Sequence, residues 1–123
     1  MSVTVNRVNQ NLQITRGDSC QFILRDGQTK EPYEFESTDT VKLTVKTQVE
    51  GTLIFQKIIT PDVNGHVLIT IDAADTESVD FGKYVYDIEW STLSGKVTTI
   101  IPKSGRTRFV PTFEVCEEVT LGV

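Results

Sequence analysis

"DAADTESVDFGKYVYDIEW", residues 72–90, changes its periodicity halfway along, and the change decides the fold class. From Asp72 to Val79 the small and acidic residues suit a single capped helical turn. Asp80-Phe81-Gly82-Lys83-Tyr84 then leads into a strand. Beyond it large residues recur with period two, so Tyr84, Tyr86, Ile88 and Trp90 share one face. Four large side chains on one face read as a core strip rather than as a platform for stacking a ligand.

Working outward, the period stays at two and never becomes 3.6, and clusters of Gly, Asp, Asn, Pro and Ser separate the runs. In "TVKLTVKT" (40–47) Val41, Leu43 and Val45 face one way and Lys42, Thr44 and Lys46 the other, which predicts a strand with one dry and one wet face. "HVLITID" (66–72) does the same, with Val67, Ile69 and Ile71 inward. "TLIFQKII" (52–59) is followed by "TPDVNG", where Pro61, Asp62 and Asn64-Gly65 supply turn chemistry, so 52–71 is predicted to be a hairpin. Further strands are expected at 11–15, 19–25, 83–91, 96–101 and 106–116. Asp26-Gly27, Pro32 and four acids (Glu31, Glu34, Glu36, Asp39) make 26–39 a long connection, the least ordered part of the chain.

The order Asp80-x-Gly82-x-Tyr84 resembles the tyrosine corner of immunoglobulin-like sandwiches, in which a Tyr opening the sixth strand returns its hydroxyl to nearby backbone. Tyr86 stands where antibody domains carry their second core cysteine, so packing replaces the inter-sheet disulfide. The expected fold is an all-β, immunoglobulin-like antiparallel sandwich of about seven or eight strands, with one short helical turn near 73–79. The length, 123 residues, suits a single domain, with 1–10 as an extension of no fixed structure.

Composition narrows the function classes. A net charge of −5 with interspersed signs leaves no basic stripe for phosphates, so nucleic acid is not an expected partner. No window approaches the ~18 apolar residues of a membrane span, and "MSVTVNRVNQNLQ" lacks the pattern of an export signal. Cys20 and Cys116 are accordingly expected as reduced thiols. Arg16-Gly17-Asp18-Ser19 spells the tetrapeptide that integrins bind. It falls in a short step between two predicted strands, so Gly17 and Asp18 are read as a turn that opens a strand, not as an adhesion loop.

Little in the chain suggests chemistry. His66 has no Ser, Cys or carboxylate in a catalytic order, and "SGK" (94–96) lacks the remainder of a phosphate loop. One His and two distant Cys fall short of a zinc set. Asp72, Asp75 and Asp80, with Glu77 nearby, are weak calcium candidates, although an acid-rich corner that caps the helical turn is the simpler reading. The expectation is no enzyme and no cofactor. One feature exceeds folding needs: in 53–59 Leu53, Phe55 and Ile59 take one parity and Ile54 and Ile58 the other, and Val97, Ile100 and Ile101 repeat the ambiguity. Ile54, Ile58 and Ile100 are therefore expected in a subunit interface, the alternative being cover by the 26–39 connection.

Taken in order, "RGDSCQFIL", "DTVKLTVK", "LIFQKI", "HVLITI", "DTESVDFGKYVYDIEW", "SGKVTTI" and the closing "FEVCEEVT" resemble the immunoglobulin-like domains of tailed-phage and prophage baseplate or fibre proteins, notably the N-terminal domain of baseplate upper proteins. The more specific marks are Gly17-Asp18 at a strand opening, Asp75-Thr76 with Gly82-x-Tyr84-x-Tyr86-Asp87-Ile88, and Glu118-Val119-Thr120. The resemblance implies a structural part that docks on neighbouring phage subunits, a homo-oligomer made in the bacterial cytoplasm and carried in the virion, with no catalytic site. A carbohydrate-binding or adhesion sandwich is the competing expectation. Trp90, Tyr33, Phe35 and Tyr84 are the aromatics that bear on it, and Tyr33 and Phe35 exposed beside Trp90 would favour it.

Overall fold

Thr40–Lys46 and Gly82–Ser91 form the antiparallel pair at the centre of the structure. The structure is a computed structural model that describes residues 3–5, 11–25, 31–101 and 111–117. Among the described residues nine strands and one helical turn follow in chain order: β1 (Val3–Val5), β2 (Leu12–Thr15), β3 (Cys20–Ile23), β4 (Thr40–Lys46), β5 (Leu53–Ile59), β6 (Leu68–Ile71), α1 (Ala73–Thr76), β7 (Gly82–Ser91), β8 (Val97–Ile101) and β9 (Thr112–Cys116). The larger sheet has the order β1-β2-β9-β7-β4-β5, with β8 also paired to β7; β3 and β6 form the second layer. Val41, Leu43, Val45, Tyr86 and Ile88 from the large sheet meet Val67, Ile69 and Ile71 from the other side, all buried. Each such side chain contributes roughly 1.5–3 kcal/mol by leaving water.

This is an all-β, sandwich-like fold. Its corner is formed as the sequence suggests: Tyr84 donates its hydroxyl to the Asp80 carbonyl at 2.7 Å, and Gly82 takes φ +147°, a conformation that suits glycine. Tyr86 packs edge-on to Phe113 at 6.4 Å in the site of the absent disulfide.

Several expectations need correction. The sandwich is not wholly antiparallel, because β2 runs parallel to β9. The 1–10 extension contributes a strand, β1, paired with β2. The 52–71 segment is not a hairpin: β5 pairs with β4, and β6 with β3 in the other layer. The turn chemistry there is real but serves a crossing between layers. Asp62 Oδ1 accepts the Asn64 and His66 amides at 2.8 and 3.0 Å, and Gly65 takes φ +76° with its carbonyl 2.8 Å from the Phe35 amide. β5 closes on β4 through the shorter 47–52 link, which costs less loop entropy than 60–67.

The 31–39 stretch is also better ordered than its composition suggests. The amides of Tyr33 and Phe35 donate to Leu24 and Gly65, and Phe35 is buried edge-on against Trp90 at 4.8 Å. Buried Asp39 anchors it: Oδ2 accepts the Trp90 indole N–H and the Glu36 amide, both at 2.9 Å. The Asp26-Gly27 turn, residues 106–110 and Glu118-Val119-Thr120 lie outside the described residues.

Arg16-Gly17-Asp18 is a tight turn held at both ends. The Asp18 amide donates to the Thr15 carbonyl at 3.1 Å, and the Gly17 amide donates to the hydroxyl of fully buried Thr76 at 3.0 Å. The Arg16 guanidinium lies 4.0 Å from the centre of the Phe81 ring. Gly17 takes φ +83°, so a side chain there is strained. Gly17→Ala is expected to lower stability by about 1–2 kcal/mol in urea unfolding, and Arg16→Ala by about 0.5–1 kcal/mol. A larger loss in Arg16→Ala contradicts this account of the turn.

Candidate protein-docking face

The side of the large sheet turned away from the core is built on the outward positions of the central pair. β4 presents Lys42, Thr44 and Lys46, while β7 presents Val85, Asp87 and Glu89; in register Lys42 faces Glu89, Thr44 faces Asp87 and Lys46 faces Val85. A basic row thus lies beside an acidic one. Lys42 Nζ is 3.6 Å from Glu89 Oε1, and Gln56 of β5 donates to Thr44 Oγ1 at 3.0 Å. Together with Val49 these side chains line a shallow groove of about 330 Å³. Asp87 Oδ1 is sealed from solvent yet has no hydrogen-bond partner among the described residues. Burial, and then the neighbouring Glu89, push its carboxyl above the usual range, against the pull of Lys42 and Lys46.

Aliphatic residues flank this charged centre, and two β-bulges decide which ones. Between β4 and β5, Val45 faces Phe55 but Lys46 faces Leu53, so Ile54 is the extra residue. Between β7 and β8, Ile88 faces Ile101 but Glu89 faces Thr99, so Ile100 is the extra residue. Ile54 and Ile100, each half-buried, pack partly against the core. The same shift turns Leu53 to the outer side beside Lys46, where it is 51% exposed, away from Phe55 and Ile59 with which it shares parity in the sequence. Of the three expected interface residues Ile58 alone stands outward, 68% exposed, and Val97 is 57% exposed on β8.

β5 forms one edge of the large sheet, and apolar edge strands invite pairing with other chains. Lys57 counters that tendency. It faces Leu43 in the core-facing row, and its Nζ reaches Asp72 Oδ2 and Asp75 Oδ2, both at 2.9 Å. An inward lysine at an edge is tolerable only while no further strand covers it. Hydrogen bonds to Asp72 and then Asp75 raise the Lys57 pKa above its ordinary value.

The calcium candidates are thereby accounted for. Asp72 and Asp75 neutralise Lys57, Asp75 Oδ2 also accepts the Asp72 amide at 2.8 Å, and exposed Asp80 supplies its carbonyl to Tyr84. Among the described residues no group of three His, Cys, Asp or Glu side chains could hold a metal ion. Cys20 is buried, Cys116 half-buried, and neither is bonded to the other. Of the aromatics, Phe35 is buried, Tyr33, Tyr84 and Trp90 pack against the core, and the Trp90 N–H is occupied by Asp39.

Neither a family model, nor a curated protein, nor a solved structure matches this chain.

Replacing Lys57 tests the edge. Lys57→Met is expected to cost up to about 1 kcal/mol and to produce concentration-dependent light scattering as β5 becomes open to pairing. The ion pairs stabilise the fold fully below the unfolded-state lysine pKa of about 10.4, and lose that contribution as pH climbs through the higher folded-state value. The stability difference between wild type and Lys57→Met should therefore shrink above that pH. A constant difference, with no gain in scattering, contradicts the role given to Lys57.

Proposed function

We propose that this chain is a structural assembly module of a tailed-phage or prophage particle, working through protein–protein contact, with the outer face of β5, β4 and β7 as its docking surface. The carrying observation is the exposure of Leu53, Ile58 and Val97 around a centre of alternating charge. An aliphatic rim with a central charged strip suits a protein partner, because the rim supplies apolar area and the charges select the mate. The phage context rests on the sequence marks at Gly17-Asp18, Asp75-Thr76 and Gly82 to Ile88. A sugar site draws on stacked, accessible aromatics, and here Phe35 and Trp90 are turned to each other and to the core.

Sedimentation of the purified protein over a range of concentrations tests the reading. Wild type should associate and Ile58→Glu should not, while Val63→Glu, on a fully exposed loop residue away from this face, should behave as wild type. A wild type that stays a single 13.8 kDa chain throughout, or association that ignores Ile58→Glu, defeats the proposal.

A further inference from the structure

Building on that reading, we infer that the face docks a second copy of this chain, stacked face to face about a two-fold axis that runs along the strands between β4 and β7. A closed pair of identical chains must be related by a two-fold axis, and a flat sheet offers three orientations for it. An axis normal to the sheet joins the copies edge to edge through β5, and so covers Lys57 with its two carboxylates. An in-plane axis across the strands sets each strand over its own copy, which puts Lys42 and Lys46 over the same lysines and Asp87 and Glu89 over the same acids. Like charges brought together at a contact are costly.

The remaining axis exchanges the rows. Each copy's β4 lies over the other's β7, so Lys42 meets Glu89 twice, and the two intrachain pairs merge into a cluster of four alternating charges. Asp87 comes over the β4 row between Lys42 and Lys46. The flanks exchange as well. Ile58, Lys42, Glu89 and Thr99 occupy one level across β5, β4, β7 and β8, so Ile58 of one copy lies over Thr99 of the other, beside exposed Val97. Stacked sheets interdigitate at about 10 Å, close enough for these side chains to meet.

Charge exchange tests this geometry. Lys42→Glu makes the central strip predominantly acidic and Glu89→Lys makes it predominantly basic; both are surface changes of small cost to folding, checked by urea unfolding of each variant. Each alone is expected to sediment as one 13.8 kDa chain, and an equimolar mixture at twice that mass, with an association that weakens as salt is added. Single variants that keep the wild-type mass overturn the face-to-face pair. So does a mixture that stays at the mass of one chain. If wild type associates in an Ile58-dependent way and the mixture does not, the two-fold arrangement fails and the docking face survives; if wild type never associates, both fail.

Discussion

In the antiparallel pairing of β4 with β7, Val41 faces Trp90, Leu43 faces Ile88 and Val45 faces Tyr86, while Lys42 faces Glu89 and Thr44 faces Asp87. Each register step therefore commits a whole row to one side, and a slip by one residue would bury the two lysines of β4 or the two acids of β7, according to which strand moved. The remainder of the molecule is arranged around that commitment. β3 and β6 cover the apolar rows, the 31–39 stretch covers Trp90 through Phe35 and Asp39, and the charged rows are left outside.

The flanking strands meet the central pair without keeping strict alternation. Each spends one bulge residue, Ile54 or Ile100, on filling the core, and parity reverses beyond it. Leu53 reaches the outer side by this device. Lys57 lies on the core-facing row of the same strand, where its ammonium ties the edge to the start of α1. One strand thus combines an exposed aliphatic face with a guarded edge, which favours stacking over lateral growth.

The corner between β6 and β7 does comparable work for the turn at Arg16-Gly17-Asp18. Buried Thr76 accepts the Gly17 amide, Phe81 receives the Arg16 guanidinium, and the carbonyl of Asp80 takes the Tyr84 hydroxyl. The first two contacts unite residues about sixty positions apart in the chain. An integrin-like tetrapeptide is thereby absorbed into the scaffold.

By itself the sequence determined what local chemistry can set: the alternating strands β4 and β7, the capped turn at α1, the corner of Asp80, Gly82 and Tyr84, and the positive φ of Gly17. These follow from side-chain period, capping and glycine's conformational freedom, all confined to a few neighbouring residues. Pairing partners were a tertiary decision. "TPDVNG" reads as a hairpin turn whether the strands it joins pair or part, and only the competing 47–52 link and the cover offered by β3 separate β5 from β6. The side to which Leu53, Ile54 and Ile100 turn was decided in the same way, because a bulge exists only against a partner strand and leaves no period of its own. The face proposed for docking could be seen as an excess of isoleucine in the sequence. Its residues were settled only when the sheet was assembled.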